Sequence, residues 1–211
     1  MNVLVKSAAI ASVVFLAACG GNPNADLKEV PEPIGDFRPG HIVAFGDNIE
    51  APFFSRELSP DQIELVVSSA IEKRLRRYDG DGLYHLGIVL GGIVLAQPGV
   101  PLVATPSSQI LIDITVYDNE TRQKLNEEPV RLRASEGVWT PVIGSGLARG
   151  PEQQLENLAN QIAIQIERWL RNNPEWFEPK TGRERVAYDP ADFAGLENVN
   201  AGSPAPPPSD N

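Results

Sequence analysis

The sequence predicts an α+β domain, in which a mostly antiparallel sheet of about four strands carries two amphipathic helices on one face. Two segments repeat apolar residues at intervals of three and four, as a helix packed on a core requires. Several shorter runs alternate or are rich in Ile, Val and Leu, which is typical of strands. Their order along the chain is β-α-β-β-β-α, and this arrangement buries both helical stripes while leaving one sheet face in water.

The first predicted strand covers residues 41–45, and the first helix follows it. Ser59 is placed to cap this helix, Pro60 suits its first position, and Gln62 completes a capping box. The apolar stripe is then Ile63, Val66, Val67, Ala70, Ile71 and Leu75. Arginines crowd the last turn, where the helix dipole favours cations, and Gly80 is the predicted stop.

Three more strands are predicted in the middle of the chain, over residues 83–97, 110–117 and 130–134. The second of them alternates most clearly, with Ile110, Ile112, Ile114 and Val116 on one side. Residues 118–124 are polar and indicate an exposed hairpin tip.

The second helix begins at Pro151 and ends at Asn172-Asn173-Pro174. Its apolar stripe is the clearest pattern in the chain and consists of Leu155, Leu158, Ala159, Ile162, Ala163, Ile166, Trp169 and Leu170.

Residues 86–112 contain no charged side chain and allow three interpretations. The favoured one is a buried strand followed by a loop, because the prolines at 98, 101 and 106 each cost about 3 kcal/mol inside a helix. A hairpin that dips into a membrane or binds a partner is the second interpretation, and a membrane-spanning helix is the third.

The N-terminus carries Lys6, an apolar run over residues 8–18, and Leu-Ala-Ala-Cys at residues 16–19. The run is too short to span a bilayer and has the length of a secretory signal. The tetrapeptide resembles the lipobox of bacterial lipoproteins, and its Cys19 is the single cysteine of the chain.

This resemblance implies that the Cys19 thiol takes a diacylglycerol, that cleavage occurs just before it, and that the new amine receives a fatty acid such as palmitate. Gly20 and Gly21 follow without an Asp, which by resemblance favours the outer membrane over the inner one. The alternative is an ordinary secreted protein with a cysteine near its cleavage site. We therefore predict a signal peptide at 1–18, a flexible tether at 19–40, an α/β domain at 41–177 and a disordered Pro-rich tail at 178–211.

Composition excludes several classes of partner and site. Eighteen Lys and Arg stand against 28 Asp and Glu, a net charge of −10, so no basic stripe exists for nucleic acid. His41 and His85 are the two histidines, and neither belongs to a zinc-binding motif. Asp79-Gly-Asp-Gly82 begins like a calcium loop but lacks the later ligands, and we interpret it as a turn. No cofactor, metal or catalytic residue is predicted, so we expect no enzymatic activity.

Two further segments are candidate contacts. Residues 144–150 form a Gly-rich run before the second helix, either an anion cradle or, as we favour, a connector that contacts a partner through Arg149. Trp176 and Phe177 either fold back over the helix end, which we favour, or form an exposed interaction patch.

The residues from Gly144 to Phe177 look like the C-terminal part of small envelope lipoproteins of unknown function from alphaproteobacteria. That resemblance implies an α/β domain on a lipid anchor and brings no catalytic residues. The leading hypothesis is an accessory protein that docks on another envelope protein. The second is a module that binds a small molecule or a lipid with residues 86–112 and 137–150, and an enzyme is the third.

Overall fold

The computed structural model describes residues 24–46, 49–52, 55–96, 107–136 and 150–189. Its elements are β1 (Phe37–Phe45), α1 (Pro60–Leu75), β2 (Gly82–Val94), β3 (Gln109–Asp118), β4 (Val130–Ser135) and α2 (Pro151–Arg171). Short 3-10 turns cover Ala25–Lys28 and Pro174–Phe177. The predicted fold class and element order are confirmed.

One sheet holds the four strands in the order β1-β2-β3-β4. After β1, helix α1 returns the chain to the end of the sheet at which β1 begins, so β2 starts there and runs parallel to β1. The β2–β3 and β3–β4 pairs are antiparallel. A bulge between Leu90 and Gly92 shifts the register of β2 against β3. The strands at 82–94 and 109–118 exclude the interpretation of residues 86–112 as one spanning helix. No helix in the described part of the chain is long and apolar enough to cross a bilayer.

Both helices pack on the same face of the sheet and form the core with it. Their buried side chains meet the strand positions that point toward them, among them Tyr84, Leu86, Ile88, Ile112 and Ile114, each exposed by at most 2%. The predicted cap of α1 is present, since the Gln62 N–H donates to Ser59 Oγ at 3.2 Å.

The folded part extends beyond both predicted boundaries. β1 begins at Phe37, which is 1% exposed, so the boundary expected at residue 41 falls inside a strand. Residues 24–36, expected to belong to a flexible tether, contact α1 and α2. At the other end, Lys180, Arg183 and Arg185 form ion pairs with the body of the domain, although disorder was expected from residue 178. The rest of both predicted tails lies outside the described residues.

Candidate functional site

The sheet face opposite the helices, here called the open face, carries a stripe of exposed apolar side chains. Val43 and Phe45 of β1 are 53% and 42% exposed, and Val89 of β2 is 39% exposed. The register pairs Val43 with Gly87 and Phe45 with Val89, so the three side chains lie on neighbouring strands. The two described helices lie on the other face, toward which Ile88 and Leu90 of β2 point.

Glycines leave a depression in the middle of the open face. Gly87 and Gly91 flank Val89 on the same face of β2 and place no side chain there. A Cβ atom at Gly87 would lie 3.6 Å from Tyr117 Cε2, which is ordinary contact, so the Tyr117 ring borders this depression. The surface is therefore a shallow apolar trough between β1 and β3.

A charged pair and a second arginine border the trough on the β4 side. Arg131 donates two hydrogen bonds to Asp113, from Nε and Nη2, both at 2.9 Å. The Arg131 guanidinium lowers the pKa of the Asp113 carboxyl below its ordinary value. Arg133, next along the same face, is exposed and has no ion pair to any described residue.

Two stacked histidines border the trough at the start of the strands. The His41 and His85 ring centroids are 4.8 Å apart, and the Tyr188 ring meets His41 edge-on at 5.1 Å. His85 Nδ1 accepts a hydrogen bond from the His41 backbone N–H at 2.9 Å, and Nε2 lies 3.1 Å from Asn119 Oδ1. Since Nδ1 accepts, Nε2 carries the proton and donates it to Asn119.

His85 therefore has both ring nitrogens engaged, which favours a structural role over that of a base. His41 is half-buried, and its burial, followed by the neighbouring His85 and Arg76, lowers its pKa below the ordinary value of histidine. In the part of the chain that the structure describes, no group of three or more His, Cys, Asp or Glu could hold a metal ion.

An open cavity of about 560 Å³ lies at the far end of the same sheet. It is lined by β2 and β3 where they pass the bulge and by the chain segment after β1. Glu50 and Arg133 provide its charged groups, and Gly91, Gly92, Ile93, Ile110 and Leu111 provide most of the remaining wall. The volume and the mixed lining suit a small amphipathic molecule.

The other predicted site residues fall in three places. Cys19 and Arg149 lie outside the described residues, as do 144–149 of the Gly-rich run. Phe177 is fully buried against Phe37 and Tyr84, with ring centroids 5.0 and 4.9 Å apart, so it folds back into the core and does not reach a partner. Trp176 is half-buried and meets Trp169 edge-on at 5.3 Å.

The remaining acidic turn forms ion pairs within the chain. Asp79 and Asp81, which open the calcium-loop-like sequence, both pair with Arg185 of the C-terminal segment. The Arg185 guanidinium lowers the pKa of Asp79. The interpretation of residues 79–82 as a turn agrees with this geometry. Its ion-pair partner, Arg185, is distant in sequence.

Sequence reasoning missed the stripe of Val43, Phe45 and Val89. The predicted strand at 41–45 contained two of these residues, but nothing in so short a run indicates which side chains a helix will cover. The pairing of His41 with His85 was also missed, because it depends on the parallel register of β1 and β2.

No protein-family description matches the sequence, and no curated protein matches it. Among solved structures, the chain is similar to a DUF330-family protein from Xanthomonas campestris (12% identity, 68% of this chain and 89% of that one, TM-score 0.42). It is also similar to a candidate lipoprotein from Caulobacter crescentus (10% identity, 66% and 93%, TM-score 0.38). A minor lipoprotein from Acinetobacter baumannii is a third (15% identity, 59% and 92%, TM-score 0.25). Two of the three are named as lipoproteins, and likeness at this level assigns no site or activity.

Proposed function

We propose that this protein is a lipid-anchored, non-enzymatic interaction module of the bacterial envelope. Cys19 carries the lipid, the domain stands on the periplasmic face of the outer membrane, and the open face of the sheet binds another envelope protein. The observation that carries the docking role is the exposed apolar stripe of Val43, Phe45 and Val89 on an uncovered sheet face.

The anchor rests on the leader and on the energetics of acyl chains. A basic residue, an apolar run and small residues precede the one cysteine of the chain. Each buried CH₂ group of an acyl chain contributes about 0.8 kcal/mol, and one chain alone holds a protein only marginally. Two or three chains on Cys19 hold it on a bilayer essentially permanently.

The chemistry of the open face favours a folded protein as its partner. An apolar centre with one aromatic residue, bordered by charged and polar groups, is the usual anatomy of a protein interface. Arg133, which forms no ion pair within the described part of the chain, suits a partner that presents a carboxylate next to an apolar patch.

We propose no catalytic role for His85 or for the acidic turn, because both already have partners among the described residues. His85 has both ring nitrogens in hydrogen bonds, and the acidic turn at 79–82 is paired with Arg185. An enzyme would need a reactive group free to meet a substrate.

Site-specific photocrosslinking in intact cells tests the docking role. A photoreactive amino acid is placed at Val43, at Val89, and at Leu65, which is 63% exposed on α1 and serves as the control. We expect Val43 and Val89 to capture the same envelope protein, identified by mass spectrometry, and Leu65 not to capture it. Introducing Phe45→Asp should remove that product. Equal capture from all three positions, or none from Val43 and Val89, contradicts the proposal.

A second candidate function is the binding of a small molecule or lipid, and the cavity of about 560 Å³ favours it. Native mass spectrometry of protein purified from the envelope distinguishes the two functions. A co-purified ligand that is lost in Leu111→Trp, which enlarges a half-buried side chain of the cavity wall, supports this candidate. Absence of any bound mass in several preparations removes it.

A further inference from the structure

The N-terminal segment, residues 24–34, is fastened to one end of the domain. Asp26 receives two hydrogen bonds from Arg74 of α1, at 2.9 and 3.1 Å. Such two-pronged pairs between arginine and a carboxylate are among the stronger polar contacts in proteins. The pairing with Arg74 lowers the pKa of Asp26, so the contact persists well into the acidic range.

Three further contacts continue along this segment. Arg77 donates to the backbone carbonyls of Asp26 and Glu29 at 2.7 and 3.3 Å. Arg171 of α2 donates to the carbonyl of Glu32 at 2.8 Å. Ile34 is 3% exposed and belongs to the core. The segment is therefore held at several points, by both helices, and does not behave as a free tether.

The arginines that hold it are themselves fixed. Arg74 is 3% exposed at its side chain and donates to Glu167 at 2.6 Å. Arg77 also contacts Glu167, at 3.1 Å, and the Tyr78 hydroxyl donates to the same carboxylate. Burial and the Glu167 carboxylate raise the pKa of Tyr78, so it stays a donor. The N-terminal segment thus docks on a preorganised surface.

This surface lies at one end of the domain, which we call the anchor end. α1 and α2 both finish there, at Leu75 and Arg171, and β1 and β2 begin there. The far end holds the start of α2 and the open cavity. α2 has 21 residues, so about 30 Å separates the two ends at 1.5 Å per residue.

Chain length then limits how far the anchor end can stand from a lipid on Cys19. Five residue steps join Cys19 to Asn24. A fully extended chain spans at most about 3.6 Å per residue, so these steps cover about 18 Å. If residues 19–40 all formed a free tether, it would reach about four times as far as these five steps, and the orientation of the domain would be undefined.

We propose that the anchor end of the domain faces the lipid surface, within about 18 Å of it, and that the cavity end points away into the periplasm. This inference rests on the proposed acylation of Cys19. Val30, 93% exposed between the contacts of Arg77 and Arg171, is the apolar side chain that meets the bilayer interface. The strands then run roughly along the membrane normal, so a partner reaches the open face from the side.

Energy transfer to headgroup-labelled lipids in vesicles tests this orientation. The full acylated chain is used, with a donor dye on Val30→Cys at the anchor end or on Gln153→Cys at the far end, both exposed positions. Acylation blocks Cys19, so the introduced thiol is the one free thiol of the protein. Because Arg171, which contacts Glu32 near Val30, lies about 27 Å along α2 from Gln153, we expect transfer from Val30 to be at least about twofold higher.

A matched variant inserts a flexible Gly/Ser linker of about 20 residues between Asn22 and Pro23. The fold and the N-terminal contacts stay intact, so only the reach of the tether changes. We expect the difference between the two dye positions to collapse toward equality. Equal transfer from Val30 and Gln153 in the original chain, or higher transfer from Gln153, overturns the inference.

Vesicle flotation precedes each transfer measurement and separates the two failures. A protein that does not float with the vesicles refutes the acylation and hence the proposed function. A protein that floats but shows no preference for Val30 refutes the orientation alone.

Discussion

Successive side chains of a strand point to opposite faces of the sheet, and two neighbours in β2 show how differently the two faces are exposed to solvent. Ile88 points to the helices and is fully buried, whereas Val89 points away and is 39% exposed. Both are β-branched aliphatic residues suited to a strand, so neither propensity nor hydrophobicity explains the difference. Burial on one face accounts for stability, and the proposed docking role is our explanation for the apolar stripe on the other face.

The covered side also holds a buried polar cluster. Between the ends of α1 and α2, Glu167 accepts hydrogen bonds from Arg74, Arg77 and Tyr78. This cluster holds the two helices and the N-terminal segment together, and it is nearly closed to water. Removing Glu167 from this cluster is costly, because Arg74 and Arg77 stay largely buried and their other carboxylate, Asp26, is half-exposed.

A large effect is expected from Glu167→Gln. This change keeps the size of the side chain and leaves Arg74 and Arg77 with the half-exposed Asp26 carboxylate as their remaining described counter-charge, so we expect a loss of about 3 kcal/mol in the free energy of unfolding. Glu156→Gln, an exposed position on the same helix, is the control and should stay within about 0.5 kcal/mol. Urea denaturation measures both, and equal small losses would show that the cluster contributes little.

The next effect separates the two faces directly. Ile88→Ala removes a fully buried side chain and should lower the free energy of unfolding by about 2–5 kcal/mol. Val89→Ala, one residue farther, should lower it by less than about 1 kcal/mol. Thermal and urea unfolding of the two variants measure this. Similar losses at both positions would mean that something covers the open face in the isolated protein.

The stripe itself should matter for binding and little for folding. Phe45→Asp places a charge at the centre of the proposed interface, and we expect at least about a tenfold loss of affinity for the captured partner, because truncated interface anchors cost 2 kcal/mol or more. The unfolding midpoint should move little, since Phe45 is 42% exposed. Titration calorimetry with the identified partner measures the affinity, and unchanged binding removes Phe45 from the interface.

The smallest effect concerns pH and the polar border of the open face. His41 faces His85, Arg76 and Tyr188, and its lowered pKa means that the unfolded chain binds a proton more readily than the folded one. Stability is then fully present above about pH 6.5 and decreases as the pH falls through the lowered pKa of His41.

His41→Gln should flatten this decrease between about pH 6.5 and 5. The carboxylates with lowered pKa values, among them Asp26, Asp113 and Asp118, contribute only at more acidic pH, so the two windows separate. Unfolding curves at half-unit pH steps measure the effect. An identical pH dependence in the variant would show that His41 does not cause the decrease.

The fold was predictable because its local signals agree with one another. The cap of α1, the alternating run at 110–117 and the stripe of α2 placed the four strands and two helices in the right order and within a few residues. Apolar periodicity also indicated which side of each helix and strand would be buried. These features depend on neighbours in sequence, and a single sequence records them.

The surfaces were less predictable because they depend on contacts between distant residues. Arg74 lies in the last turn of α1, where the sequence suggested a dipole effect, yet its partners are Asp26 and Glu167. Arg183 and Asp36 are likewise distant in the chain, and their pairing holds a segment that composition alone marks as disordered. Polar composition predicts weak burial, but it does not reveal ion pairs with the rest of the fold.

The claim on which the account depends most is acylation of Cys19, and mass spectrometry of the membrane-derived N-terminal peptide tests it most directly. We predict a mature chain that begins at Cys19 and carries a diacylglyceryl group and an amide-linked fatty acid, while Cys19→Ser leaves the membrane fraction. A free thiol at Cys19, together with unchanged fractionation of Cys19→Ser, would contradict it.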